Sequence, residues 1–153
     1  MPEIRTEMQV AALCSGTAID HIPSKQVFKV VSLLKLETLK NRITIGNNLD
    51  SKKMGTKGII KIEDKFFEEE EINRIALVAP NVVLNIIRDY QVVDKKRVEL
   101  PKIITDIVKC NNPKCITNNE PMHTRFEVID NNKIELNCLY CGLKIQKSDV
   151  ILR

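Results

Sequence analysis

Four of the five cysteines in this chain fall in its last third, as two close pairs: Cys110 and Cys115 in "CNNPKC", and Cys138 and Cys141 in "CLYC". No other feature restricts the fold as much. A region of about 50 residues is near the size at which a hydrophobic core alone is marginal, so a metal or disulfides must help to hold it. Four thiolates at Cys-x4-Cys and Cys-x2-Cys spacing suit one tetrahedral Zn²⁺, because a short turn between two cysteines places both sulfurs along one edge of the ion. Gly142 follows the second pair, where a tight knuckle needs a residue at ease with positive φ. Four protein ligands close the coordination sphere, which is the pattern of a structural zinc, not a catalytic one. His123 lies in a strand-like stretch away from both knuckles and reads as a surface residue. Cys14, alone in "AALCSG", reads as a small core residue.

The compartment bears on that reading. The start, "MPEIRTEMQV", is charged and has no apolar signal core, and no apolar run approaches the roughly 20 residues of a membrane span. The expectation is a cytoplasmic protein without membrane contact. There thiols stay reduced, so paired cysteines read as metal ligands in preference to disulfides.

The first hundred residues alternate between strand and helix patterns. "EMQVAAL" reads as a strand. In "QVFKVVSLLKL", Val27, Val30, Val31 and Leu34 recur at helical spacing, with Ser24 as the cap. "NRITIGNN" and "GIIKIE" alternate as strands, and in the second Lys61 faces away from Ile60 and Ile62. "EEEEINRIALVAP" reads as a second helix. Glu68 to Glu71 lie at its N-terminus, Ile72, Ile75 and Leu77 or Val78 on its buried side, and Pro80 just past its end. "NVVLNII" and "YQVVDK" are strands joined by a turn at Arg88–Asp89. The order is βαββαβ plus one further strand, a ferredoxin-like sandwich. The charged stretch 95–102, with Pro101, reads as a linker. The division is therefore 1–97 and 98–153. The second domain is small, all-β and zinc-ribbon-like, with strands in "TRFEVI", "KIELNC" and "DVIL" and a turn at Asn131–Asn132. The fold class is α+β.

Enzyme signatures are missing: there is no Walker A loop, no G-x-G-x-x-G and no H-E-x-x-H. A binding or regulatory protein is expected. One such reading is a zinc-ribbon nucleic-acid adaptor. Against it, the region from Val98 carries eight basic and seven acidic residues, and the whole chain has a net charge of only +4, no Trp and 4% aromatics. A thiol-redox enzyme using Cys138 and Cys141 is disfavoured by the second cysteine pair.

A more specific resemblance comes from "GTAIDHIP", "RITIGNNL", "MGTKGIIKIE", "PNVVLNIIRDYQVVDK", "CNNPKCITNNEP" and "CLYCG". In order, and over nearly the whole chain, these resemble the regulatory chains of aspartate carbamoyltransferase. The resemblance implies a non-catalytic subunit of pyrimidine biosynthesis. Its first domain would bind nucleoside triphosphates such as ATP, CTP or UTP and pair with another regulatory chain. Its zinc domain would dock on the catalytic chains. By the same resemblance, Asp20 and His21 match the family's effector-site pair, Lys61 its base- and ribose-side lysine, and Lys95 its phosphate lysine. Asn85, Ile87, Tyr90 and Val92 match pocket positions on the two strands before the linker. Ala12, Leu13 and Ala18 match positions on the first strand and its turn. Lysines, and a histidine that can take up a proton, are suitable partners for phosphates.

Overall fold

A computed structural model describes residues 12–130 and 132–153. The chain divides between Val98 and Glu99 into two compact units.

The first unit contains β1 (Gly16–Ile22), α1 (Val27–Leu33), β2 (Ile43–Ser51), β3 (Gly55–Glu63), α2 (Glu69–Val78), β4 (Val83–Arg88) and β5 (Gln91–Arg97). The strands form one sheet in the order β2-β3-β1-β4-β5, and every neighbouring pair is antiparallel. That is the ferredoxin-like arrangement with β5 added outside β4.

The central strand is not where the apolar pattern placed it. Residues 7–11 of "EMQVAAL" lie outside the described residues, and Ala12 and Leu13 are not in a strand. Instead β1 is "GTAIDHI", of which Asp20 and His21 read, on pattern alone, as turn and loop residues. Gly16 to Ile19 are all buried, since β1 has a strand on each side and the residues it turns away from the core, Gly16 and Ala18, are small, so no alternation marks it. Thr17, fully buried, donates its hydroxyl hydrogen to the Lys65 carbonyl at 2.6 Å. A bulge falls between Ile19 and Ile22, where His21 takes φ 59°.

Along α1 and its C-cap, Val27, Val30 and Leu34 are buried while Val31 is half-buried. Ser24 does not cap the helix. It lies in a short 3-10 turn, and its hydroxyl bonds the Thr56 hydroxyl at 2.9 Å. A Cβ at Gly58 would stand 2.0 Å from Val27 Cγ2, so β3 accepts α1 this closely only with glycine there. The helix therefore packs on the face of β3 that carries Gly58, Ile60 and Ile62, where Ile19 and Leu84 complete the core. The glutamate run at the start of α2 is itself the cap. Glu68 and Glu71 form a reciprocal capping box, and Glu69 to Glu71 sit at the positive end of the helix dipole.

The β4–β5 turn is Asp89–Tyr90, one residue later than expected. Both residues are left-handed, φ 52° and 64°, which suits a two-residue hairpin. Strand β5 then runs through Arg97, and the Val98 amide donates to the Val82 carbonyl at 2.8 Å. The first part of the expected linker is thus strand. Its charge has a different cause: β5 lies at one end of the sheet order with every residue exposed, and lysines keep such an edge solvated.

The second unit has β6 (Ile103–Thr105), β7 (Val108–Lys109), β8 (Arg125–Asp130), β9 (Glu135–Cys138), β10 (Lys144–Gln146) and β11 (Ile151–Leu152). Four of them pair as β10-β9-β8-β6 and two as β11-β7. Phe126, Ile104, Ile107, Val108, Ile134, Leu136 and Ile145 are buried with three of the four paired cysteines. Among the described residues, no helix of either unit is long and apolar enough to cross a membrane.

Candidate functional sites

In the second unit, the Sγ atoms of Cys110, Cys115, Cys138 and Cys141 all lie within 4.8 Å of one another. Cys110 and Cys141 are 3.6 Å apart and Cys115 and Cys138 3.8 Å apart. A tetrahedron with metal–sulfur bonds of about 2.3 Å has edges of about 3.8 Å, so the four sulfurs already frame a tetrahedral metal ion. Two turns build the frame. Cys115 N donates to Asn112 O at 3.0 Å. Gly142 N donates to Cys138 O at 2.9 Å, with Gly142 at φ 79° as the knuckle requires. Two asparagine side chains tie the first turn down. Asn118 Nδ2 donates to the Cys110 and Asn112 carbonyls at 2.9 and 2.8 Å, and Asn119 Nδ2 to the Pro113 and Cys115 carbonyls at 3.0 and 2.9 Å. Cysteine spacing gives no sign of this support, although both asparagines stand in the quoted motif.

The thiols differ in their readiness to ionise. Burial pushes Cys110 up to about 12 and also raises Cys138. At exposed Cys141 the cost of burial, the largest single effect, is outweighed by the sum of hydrogen bonds from the Leu143 backbone, the Asn112 side chain and the neighbouring thiols, which bring it down to about 7. Four thiolates in one cluster need a cation to offset their charge, so binding a metal expels protons. His123 is apart from this cluster, 81% exposed and hydrogen-bonded to Asp106. Cys14 is exposed, not a core residue. It precedes β1, and its carbonyl accepts from the Tyr90 amide at 2.9 Å.

The first unit gathers the other candidates on one face of the sheet, opposite the core. Ala18 on β1 is paired with Lys61 on β3 and with Asn85 on β4, and Asn85 is paired with Lys95 on β5. These four residues form a single row across four strands. Asp20 lies two residues along β1 from Ala18, and Ile87, paired with Val92, two along β4 from Asn85. Ala12 and Leu13 lie just before the Cys14–Tyr90 backbone contact, and Tyr90 stands 68% exposed at the hairpin turn. Lys61 is not a surface lysine: it is 8% exposed.

Asp20 accepts from the His21 amide at 2.7 Å and pairs with Lys57 at 2.9 Å. The sequence reading missed Lys57, although it stands four residues before Lys61 and shares its face by alternation. Burial holds the His21 imidazole below the ordinary range. Asp20 pulls the other way, and Lys57, Lys53 and Lys95 add to the effect of burial. Its Nδ1 and the Asn85 Oδ1 are buried without a hydrogen-bond partner. Orphaned polar atoms of this kind are costly unless something else satisfies them.

Two family models match the chain: "Aspartate carbamoyltransferase regulatory chain, allosteric domain" over residues 8–99, and "Aspartate carbamoyltransferase regulatory chain, metal binding domain" over residues 102–151. Among similar proteins, the aspartate carbamoyltransferase regulatory chain of Parabacteroides distasonis is 65% identical over 151 residues, covering 99% of this chain and 98% of its own. That of Porphyromonas gingivalis is 62% identical over 92% and 93% of the two chains. That of Pyrococcus abyssi is 46% identical over 95% and 97%.

Proposed function

The chain belongs to the aspartate carbamoyltransferase regulatory-chain family, and on that premise we propose that it is a non-catalytic subunit that binds nucleoside triphosphates on the open sheet face of its first unit. Domain 1–97 is the effector domain and domain 98–153 the zinc domain, which docks on the catalytic chains. The metal at the four cysteines is Zn²⁺, whose indifference to geometry and affinity for thiolate suit a closed tetrahedral sulfur site. The first unit also pairs with a second regulatory chain, and the assembly works in the cytoplasm. Both family matches run against the nucleic-acid adaptor alternative.

One observation carries the effector reading: the row Lys61, Ala18, Asn85 and Lys95, set by backbone pairing across four strands. Two cations stand at its ends. A small residue lies between them, beside an amide with an unsatisfied oxygen. Such a row offers a base or sugar a polar floor and the phosphates a cation at the exposed edge. In this assignment Lys95 and His21 face the phosphates of ATP, CTP or UTP. Lys61 and Asp20 address the sugar and base, and Ala12, Leu13, Ala18, Ile87, Tyr90 and Val92 line the rest.

The test is equilibrium titration of ATP and of adenosine against the assembled wild-type and Lys95→Ala proteins. Loss of one charge-assisted contact should weaken ATP about tenfold and leave adenosine nearly unchanged. The coupling must also be reciprocal, so an active-site ligand of the catalytic chains should shift ATP affinity by the factor by which ATP shifts that ligand's. Equal ATP affinity in the two proteins would remove Lys95 from the site.

A further inference from the structure

We infer that Lys53, in the β2–β3 hairpin, is a further phosphate contact of the proposed effector site and lets it distinguish triphosphates from monophosphates. This rests on the effector reading above.

The argument starts from the hairpin. Strand β2 ends at Ser51 and β3 begins at Gly55, with Asp50 paired to Thr56 and Ser51 to Gly55, so Lys52, Lys53 and Met54 form the exposed tip. The tip is closed by the Met54 amide on Ser51 Oγ at 3.2 Å. Its base is fastened to the exit of β1 in three places. The Ser24 and Thr56 hydroxyls bond at 2.9 Å, Asn47 Nδ2 donates to Ser24 O at 3.3 Å, and Lys57 pairs with Asp20 at 2.9 Å. The hairpin is thereby held beside the β1 bulge that carries His21.

Charge then separates the lysines. Lys53, Lys57 and Lys95 all oppose protonation of the His21 imidazole, and Asp20 favours it, so three cations and one carboxylate act on that ring from β1, the hairpin and β5. Lys57 is taken by Asp20. Among the described residues, neither Lys53 nor Lys95 has a carboxylate within salt-bridge distance. Among the described residues, the bulge is therefore faced by cations without a carboxylate partner from two separate elements, next to a buried imidazole nitrogen that lacks a partner. A monophosphate can engage one such cation. A polyphosphate chain, longer and more highly charged, engages both.

The experiment titrates ATP, ADP and AMP against the assembled wild-type, Lys53→Ala, Lys53→Arg and Lys53→Glu proteins. Lys53→Ala should weaken ATP about fivefold, the scale of a solvent-exposed charge pair, and AMP hardly at all. Lys53→Arg should restore ATP binding, and Lys53→Glu should weaken it further. An equal loss for all three nucleotides would reduce Lys53 to a diffuse field and overturn the inference. So would an unchanged ATP affinity in Lys53→Ala. If the wild type binds none of the three, it is the effector reading itself that fails.

Discussion

Replacing Asn118 by alanine isolates the contribution of the first cysteine turn to metal binding. Its side-chain amide makes two hydrogen bonds, to the carbonyls of Cys110 and Asn112. Each is worth about 0.5–1.5 kcal/mol net. Asn118 is exposed, so water replaces part of each bond, and the lower half of that range applies. The total is about 1–2 kcal/mol, or roughly a 5- to 30-fold loss of Zn²⁺ affinity, because at such a site binding energy and folding energy are the same quantity. No ligand changes, so the geometry of bound metal should persist, and only the cost of assembling the turn rises. The assay is competition for Zn²⁺ with a chelator of known affinity, using the full chain and measured at equilibrium. Asn119→Ala, which loses bonds to Pro113 and Cys115, should cost a similar amount. The double variant should depart from additivity, since both side chains hold one turn. Zn²⁺ affinity within twofold of wild type in Asn118→Ala would refute the reasoning and leave the backbone alone as the support of the turn.

Two other expectations concern metal and pH. Cys138→Ser replaces a soft thiolate by a poor ligand. It should abolish Zn²⁺ binding and unfold the second unit, while proteolysis of the full chain still finds the first unit protected by its own core; retention of stoichiometric zinc by elemental analysis would contradict this. His21 gives a pH dependence. Its folded value lies below the unfolded 6.5, so the unfolded chain binds more protons in that window. Its contribution to stability is full above 6.5 and is lost as pH falls below it, levelling off beneath the folded value. Phosphates placed against the imidazole reverse that shift, so ATP binding should take up a proton and tighten as pH falls from about 8 to 6. His21→Gln should remove this share of the proton uptake measured calorimetrically in several buffers, and an unchanged uptake would place the phosphates elsewhere.

Elements whose residue types repeat at a strand or helix period were legible in the sequence, whatever their burial, and elements without such a period were missed. Ile43 and Ile45, the two helical faces and the strands "TRFEVI" and "KIELNC" all carry a period in residue type, although Ile45 is itself exposed. Strand β1 carries none, since it lies in the middle of the sheet and a bulge breaks its register at His21. The short strands β6, β7 and β10, of two or three residues, are too brief to show a period. For β5 the error ran the other way: an exposed edge needs lysines, and lysines also mark linkers. The metal ligands could be read from spacing because sulfur chemistry leaves few alternatives. The sheet-face residues could not, since Lys61 is buried in the folded sheet and Lys57 acts through Asp20, 37 positions away on another strand. The resemblance alone singled out Lys61, and nothing in the sequence singled out Lys57.

The row across β3, β1, β4 and β5 also says which genetic changes this site can survive. Each of its members is placed by the count of residues along its strand, and a slip of one residue moves a side chain to the opposite face. Substitutions at the rim alter contacts one at a time. A single inserted or deleted codon inside β3 or β4 would instead send Lys61 or Asn85 into the core and bring an isoleucine out in its place. Length variation is then confined to the hairpin tips. Within β1 the one tolerated irregularity is the bulge, where an extra residue, His21, is already accommodated next to Asp20. Drift in such a chain should accumulate as substitutions, with strand lengths fixed long after the residues on them have changed.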